Sequence, residues 1–194
     1  MFISEEIESL SDEELVLLTL KNQDNFVAII NRYKNRLFAY IRRITNIRDE
    51  DAEDLLQEIF LKVYLNLNDF ESDLKFSSWI YAIARNQVIS NHRRLSVRAE
   101  GHSTTLEDDI ARKLASSFNI EAELDNIYLK DSIAKVLDSL AEKYREVLVL
   151  KFLEEKNYQE ISDIIKKPVG TVGSLMNKAK SEFKKELTKQ QIKI

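Results

Sequence analysis

One group of side chains near the C-terminus has the types and spacing to hold a phosphate backbone. Thr171 and Ser174 bring hydroxyl donors to the first turns of a helix expected to begin at about Val169, just after Pro168. The unpaired N–H groups and partial positive charge of such a helix start already favour anionic oxygens. Lys178, Lys180, Lys184 and Lys185 extend that field along the same segment. A second group is aromatic: Phe70 and Phe76 lie in a stretch rich in Asn, Asp and Ser, from Asn66 to Ser78. That aromatic content is high for a loop. Covalent and metal chemistry have no comparable candidates. The chain has no Cys, only two His (His92 and His102), and no phosphate-binding Gly loop, so neither an enzyme, a metal site nor a cofactor is expected.

The charge distribution supports a nucleic-acid partner only when read by segment, because binding depends on a local basic patch. The whole chain of 194 residues carries a net charge of −4. Val169 to Ile194 holds six Lys against two Glu, whereas Met1 to Asp24 holds seven acids against Lys21 alone. Hydrophobic residues make up 44%, ample for a core, and only 3 Gly and 1 Pro leave few residues for tight turns. An all-α fold of two small helical domains follows. The acidic start is unlike a secretory signal, and no apolar run approaches the roughly 18 residues that span a bilayer, so no membrane insertion and a cytoplasmic location are expected.

Positioning these groups falls to a few striped helices. Asn25 to Thr45 carries Phe26, Ile29, Ile30, Tyr33, Leu37, Tyr40, Ile41 and Ile44 at steps of three and four. Asp49 to Tyr64 repeats the pattern and opens on Asp49, Glu50, Asp51 and Glu53, where carboxylates suit the macrodipole. Asn66 to Ser78 reads as a loop leading into a helix from Ser78 to about Arg94, with Trp79 in the core or at its edge. Periodicity then fades over Ser96 to Glu123. It returns near Leu124, and a short helix over Tyr158 to Ile165, a turn at Lys166 and Lys167, and a longer helix from Val169 to about Leu187 make a helix-turn-helix plan. Read from spacing alone, that unit fits a packed hairpin with a solvated lysine face as well as it fits a DNA reader.

Particular runs carry a family resemblance. Tyr144 to Leu148 (YREVL), Tyr158 to Ser162 (YQEIS) and Pro168 to Ser174 (PVGTVGS) resemble region 4 of the sigma-70 family, in its extracytoplasmic-function group. Asp51 to Tyr64 (DAEDLLQEIFLKVY) resembles region 2.2, and Phe76 to Asn86 (FSSWIYAIARN) with Arg93 and Arg94 resembles regions 2.3 and 2.4.

The resemblance implies an alternative sigma factor that binds bacterial RNA polymerase core and directs promoter-specific initiation. It implies that Asp54, Gln57 and Glu58 dock on the clamp helices of the largest polymerase subunit, with the flap a further contact. Asn66, Asn68, Phe70, Phe76, Ser77, Arg85, Asn86, Arg93 and Arg94 would meet the minus-10 element, and Thr171, Ser174, Asn177, Lys178 and Lys180 the minus-35 element. An anti-sigma factor is the further partner expected of the group. Two departures bear on the second set: Gly173 and Leu175 stand where the family commonly places Lys and Arg, and Lys166 stands where a turn Gly is common.

The expected organisation is an acidic N-terminal segment 1–24, sigma region 2 at 25–95, an acidic linker at 96–123, sigma region 4 at 124–188 and a tail at 189–194. Resemblance implies that the linker threads the polymerase active-site cleft. The rival readings are a conventional helix-turn-helix regulator acting on duplex DNA without polymerase, and a helical adaptor that never touches DNA.

Overall fold

The computed structural model describes residues 9–45, 47–71, 73–99 and 132–190, and the side chains of 95–99 are left aside. Most of the expected linker, 96–123, therefore lies outside the described residues. Those described are helical, with no strand among them.

The first helix, α1 (Asp12–Lys21), falls inside the acidic segment 1–24, for which charge alone is expected from sequence. Ser11 and Glu14 form a reciprocal capping box at its start, and Leu15, Val16 and Thr19 are buried. Asp12 pairs with Arg32 at 2.8 Å and accepts the hydroxyl of Tyr33, so the head is tied to the next helix from residue 12 onward.

Helix α2 (Phe26–Ile44) buries Phe26, Ile29, Tyr33, Leu37, Tyr40 and Ile41, the stripe expected of it. It packs on α3 (Asp49–Leu65), whose inward residues are Ala52, Leu55, Ile59, Phe60 and Val63. A 3-10 turn at Leu67–Asp69 then buries Leu67 and leads to α4 (Phe76–Ala99). This helix starts two residues earlier than the sequence suggested, because Glu13 of α1 accepts the Phe76 main-chain N–H at 3.1 Å. α4 also runs past Arg94 through Ala99.

The second half begins with α5 (132–139) and α6 (Glu142–Leu148). Arg145, only 6% exposed, joins them: its Nε donates to the Leu137 carbonyl at 2.9 Å and one NH2 to the Asp138 carbonyl at 2.6 Å. These are carbonyls that a helix end leaves without intrahelical partners. A π turn, Val149–Leu153, follows without a break, and Glu154 N–H closes it on Val149 at 3.0 Å. Glu155 then takes a left-handed conformation, φ 56°, and Glu154 and Lys156 on either side are buried.

α7 (Tyr158–Ile165) opens on a capping box between Asn157 and Glu160 and ends on Lys166 in the left-handed region, φ 54°, ψ 49°. Pro168 caps α8 (Val169–Lys189), which buries Val172, Met176 and Ala179 against α6 and α7. The short-helix, turn, long-helix plan is thus present at Tyr158–Ile165 and Val169–Lys189.

Candidate functional site

The acidic helix face comes first. Asp54 and Gln57 project from α3 into solvent, opposite its buried Leu55 and Ile59. Glu58 is placed differently. Its carboxylate accepts the side-chain amide of Gln87 and lies 3.7 Å from Arg94, both on α4, so the trio splits into two exposed side chains and one turned toward the neighbouring helix.

The loop between α3 and α4 stands on packed rings. Phe70 meets Phe76 edge-on at 5.4 Å and Trp79 at 5.6 Å, and Tyr33 of α2 closes on Phe76 at 5.7 Å. Phe76 is fully buried and Trp79 half-buried, as expected for Trp79, while Phe70 stays partly exposed above them. Phe76 therefore supports the loop from below. Asn66 and Asn68 are exposed and Ser77 is half-buried; the Asn66 side-chain amide donates to the Lys62 carbonyl at 2.7 Å. On α4, Asn86, Arg93 and Arg94 are exposed.

On α8 the polar residues share the face away from the core. Thr171, Ser174, Asn177, Lys178 and Lys180 are all exposed, and Ser174 bonds back to the Gly170 carbonyl at 2.8 Å. Lys180 lies 5.6 Å over the ring of the exposed Phe152. A Cβ added at Gly173 would meet nothing within 4 Å, so no close approach requires glycine there.

Arg85 is not displayed to solvent. Its guanidinium grips Glu146 of α6 with both Nε, at 2.6 Å, and an NH2, at 3.3 Å, and the Tyr40 hydroxyl reaches the same carboxylate at 3.5 Å. Glu154 repeats the arrangement: it accepts the Tyr81 hydroxyl and pairs with Arg43 at 3.0 Å. The Lys156 ammonium lies 4.7 Å over the Tyr81 ring, and Lys75 meets Glu160 at 3.2 Å. Burial pushes the Tyr40 and Tyr81 phenols well above their ordinary value and the Lys156 ammonium down. Burial raises the Glu160 carboxyl, but the Asn157 N–H and Lys75 outweigh it and hold the group below its usual range. Arg43, Glu146 and Glu154 carry no signal of these contacts in the sequence, and Tyr40 stands out there only as a member of the apolar stripe. The one local pattern is a tyrosine three or four residues before an arginine on two helices, which says nothing about a partner far along the chain.

No group of His, Cys, Asp and Glu among the described residues could hold a metal ion. No described helix is long and apolar enough to cross a membrane.

Known proteins place these surfaces in context. The model of sigma-70 region 2 matches residues 29–98 and that of sigma-70 region 4 matches residues 130–183. The ECF RNA polymerase sigma factor SigW of Bacillus subtilis (strain 168) is 31% identical over 171 residues, 86% of this chain and 90% of the relative. The chain belongs to the sigma-70 family. The ECF sigma-E factor of Escherichia coli (strain K12) is 28% identical over 178 residues, 89% of this chain and 92% of its own. CnrH, solved in complex with the cytosolic domain of CnrY, matches this sigma factor's fold with a TM-score of 0.66 at 21% identity over 91% of this chain and 97% of its own. RpoE of Bartonella quintana, solved with the anti-sigma factor NepR, matches with a TM-score of 0.68 at 20% identity over 84% and 97%.

As an extracytoplasmic-function sigma factor, the protein directs RNA polymerase to initiate at specific promoters and is a non-catalytic subunit. Sigma factors bind the polymerase core and promoter DNA. The readings as a polymerase-independent regulator and as an adaptor that never touches DNA are set aside by this membership.

Proposed function

We propose that the three surfaces divide the work of initiation, with residues 25–95 serving core binding and minus-10 melting and residues 124–188 serving minus-35 recognition. Asp54 and Gln57 dock on the polymerase clamp helices, where exposed acid suits an arginine-rich partner. Glu58 contributes from its place beside Gln87 and Arg94. The loop from Asn66 to Ser77 receives a base flipped out of the minus-10 strand, with Phe70 as its stacking edge and Phe76 as the ring beneath it. Arg85, Asn86, Arg93 and Arg94 follow that strand along α4. Thr171, Ser174, Asn177, Lys178 and Lys180 read the minus-35 duplex from the exposed face of α8, and the polymerase flap meets the same half of the protein. Acting with polymerase, the protein works in the cytoplasm, and an anti-sigma factor restrains it there.

The observation that carries this division is the partly exposed Phe70 seated on the buried Phe76 and Trp79 beneath a polar loop. Initiation by the full chain with sigma-free core polymerase on a genomic template tests it. Phe70→Ala is expected to leave core binding intact and to reduce open-complex formation about tenfold or more, since base stacking is worth about 1–3 kcal/mol. Unchanged melting by F70A would refute the loop assignment. Asp54→Ala should instead weaken core binding, and Lys178→Ala should weaken duplex binding without changing melting once the promoter is bound.

A further inference from the structure

Lys166 holds a conformation that glycine would hold without strain, and none of the hydrogen bonds that close its turn uses its side chain. Its φ of 54° and ψ of 49° place it in the left-handed region at the end of α7, where a Cβ crowds the following carbonyl. The Lys166 and Lys167 N–H groups both donate to the Ser162 carbonyl, the second at 3.2 Å, and the Ser162 hydroxyl donates to the Lys167 carbonyl at 2.6 Å. Both lysine side chains are exposed, and among the described residues neither ammonium meets a carboxylate. Lys185 and Lys189, farther along α8, are each taken up by a glutamate, at 2.6 and 3.4 Å. A cation suits the C-terminal end of α7, yet Lys167 supplies one from a backbone outside the left-handed region. A strained residue whose side chain serves no contact in the fold points to a task outside it.

The charges around this turn are ordered. The run from Pro168 to Asn177 is uncharged, with Lys166 and Lys167 before it and Lys178 the first base after it. Thr171, Ser174 and Lys178 are exposed and follow one another at steps of three and four, on one face of α8. Val169 to Lys178 spans about 14 Å of helix at 1.5 Å per residue, close to the major groove's width of about 12 Å. Such a groove has neutral base edges on its floor and phosphates along both rims. We propose that Lys166 and Lys167 form a further phosphate-binding site, gripping one rim of the minus-35 major groove while Lys178 holds the other. Gly173 and Leu175 add no charge between the rims, so the duplex is held mainly by contacts indifferent to its sequence. The inference deepens the reading of α8 as the minus-35 helix and rests on it.

The test uses the full chain bound to bacterial core polymerase and a duplex fragment whose promoter is mapped by its transcript start, kept cold so that the strands stay paired. Lys166→Gly should raise the thermal midpoint of the free chain and yet lower promoter affinity about eightfold at 0.1 M salt. It should also reduce the slope of log affinity against log salt by about 0.9, the share of one phosphate contact. Lys167→Ala should change affinity and slope in the same way, and Lys166→Arg should preserve both. Scrambling the minus-35 bases should leave the fold-loss unchanged, and ending the fragment just downstream of that element should abolish it. A double variant, Lys166→Gly with Lys167→Ala, that keeps the parent's affinity and slope overturns the proposal, as does a loss confined to the unscrambled promoter. Lys178→Ala separates the two readings. If it weakens binding while the turn variants do not, the minus-35 reading of α8 stands and the turn site falls; if none of the three has an effect, both fall.

Discussion

The Glu13 carboxylate accepts the main-chain N–H of Phe76 at 3.1 Å, so a residue of the acidic head caps the helix that carries Arg85 and Arg94. The first turn of α4 contains no acid of its own, and Glu13 brings negative charge to its positive end from α1. Asp12, the neighbouring residue, holds Arg32 and Tyr33 of α2. Two consecutive acids thereby fasten α1 to both helices beneath the loop at Asn66 to Ser77.

Removing that cap has a defined cost. Glu13→Ala should destabilise the protein by about 1 kcal/mol, the usual worth of a lost cap, and Glu13→Gln by less because an acceptor oxygen remains. Thermal unfolding compares the two, and equal melting temperatures for all three proteins would show that the contact contributes nothing.

Lys166 is the opposite case, a residue whose conformation works against it. Its φ of 54° lies where a side chain crowds the following carbonyl, at about 1–2 kcal/mol. Lys166→Gly should therefore raise the midpoint of chemical denaturation by an amount equivalent to about 1 kcal/mol, while Lys166→Val should lower it.

Gly173 leaves room for a side chain on α8, with nothing within 4 Å of an added Cβ. Gly173→Lys should stabilise α8 by up to about 1 kcal/mol and steepen the salt dependence of duplex binding by about one unit of log affinity per log salt. Binding measured at several salt concentrations checks this, and an unchanged slope would place the position away from the phosphates.

The buried phenols set an alkaline limit. Tyr33, Tyr40 and Tyr81 keep their protons well above the ordinary phenol value, mainly through burial, with Asp12, Glu146 and Glu154 adding to the effect. The folded state thus holds protons that the unfolded chain releases near pH 10. Stability is full below that pH and falls as pH rises above it. Absorbance titration of the phenolates should leave three tyrosines un-ionised until the helices themselves are lost; their smooth titration in the folded protein near pH 10 would contradict the structure.

Legibility from sequence followed the range of the interactions. The stripes of α2, α3, α7 and α8 come from periodicities of three and four, and their ends from Asp49, Pro168 and neighbouring residues, all local signals. The capping box at Ser11 and Glu14 was equally local and precedes Leu15 and Val16, so α1 was legible but hidden within a run of acids. Arg85 was recognisable as a candidate by motif, yet its grip on Glu146 depends on a partner 61 residues away that no spacing rule connects. Phe76 is a minus-10 candidate by resemblance alone; the inward turn of its side chain depends on Tyr33 and Glu13 from distant parts of the chain.

The wide turn at Val149–Leu153 is a question of phase. It spends one more residue per turn than an α-helix, so whatever follows is rotated by about 100° relative to an uninterrupted helix. Glu154 and Lys156 owe their inward aim to that extra residue as much as to their own identities. Deleting one residue from this stretch should leave the segment helical and swing Glu154 off Tyr81, while Glu146, which precedes the turn, keeps its hold on Arg85. The direction in which the second half of the chain faces is, in this sense, a counted quantity.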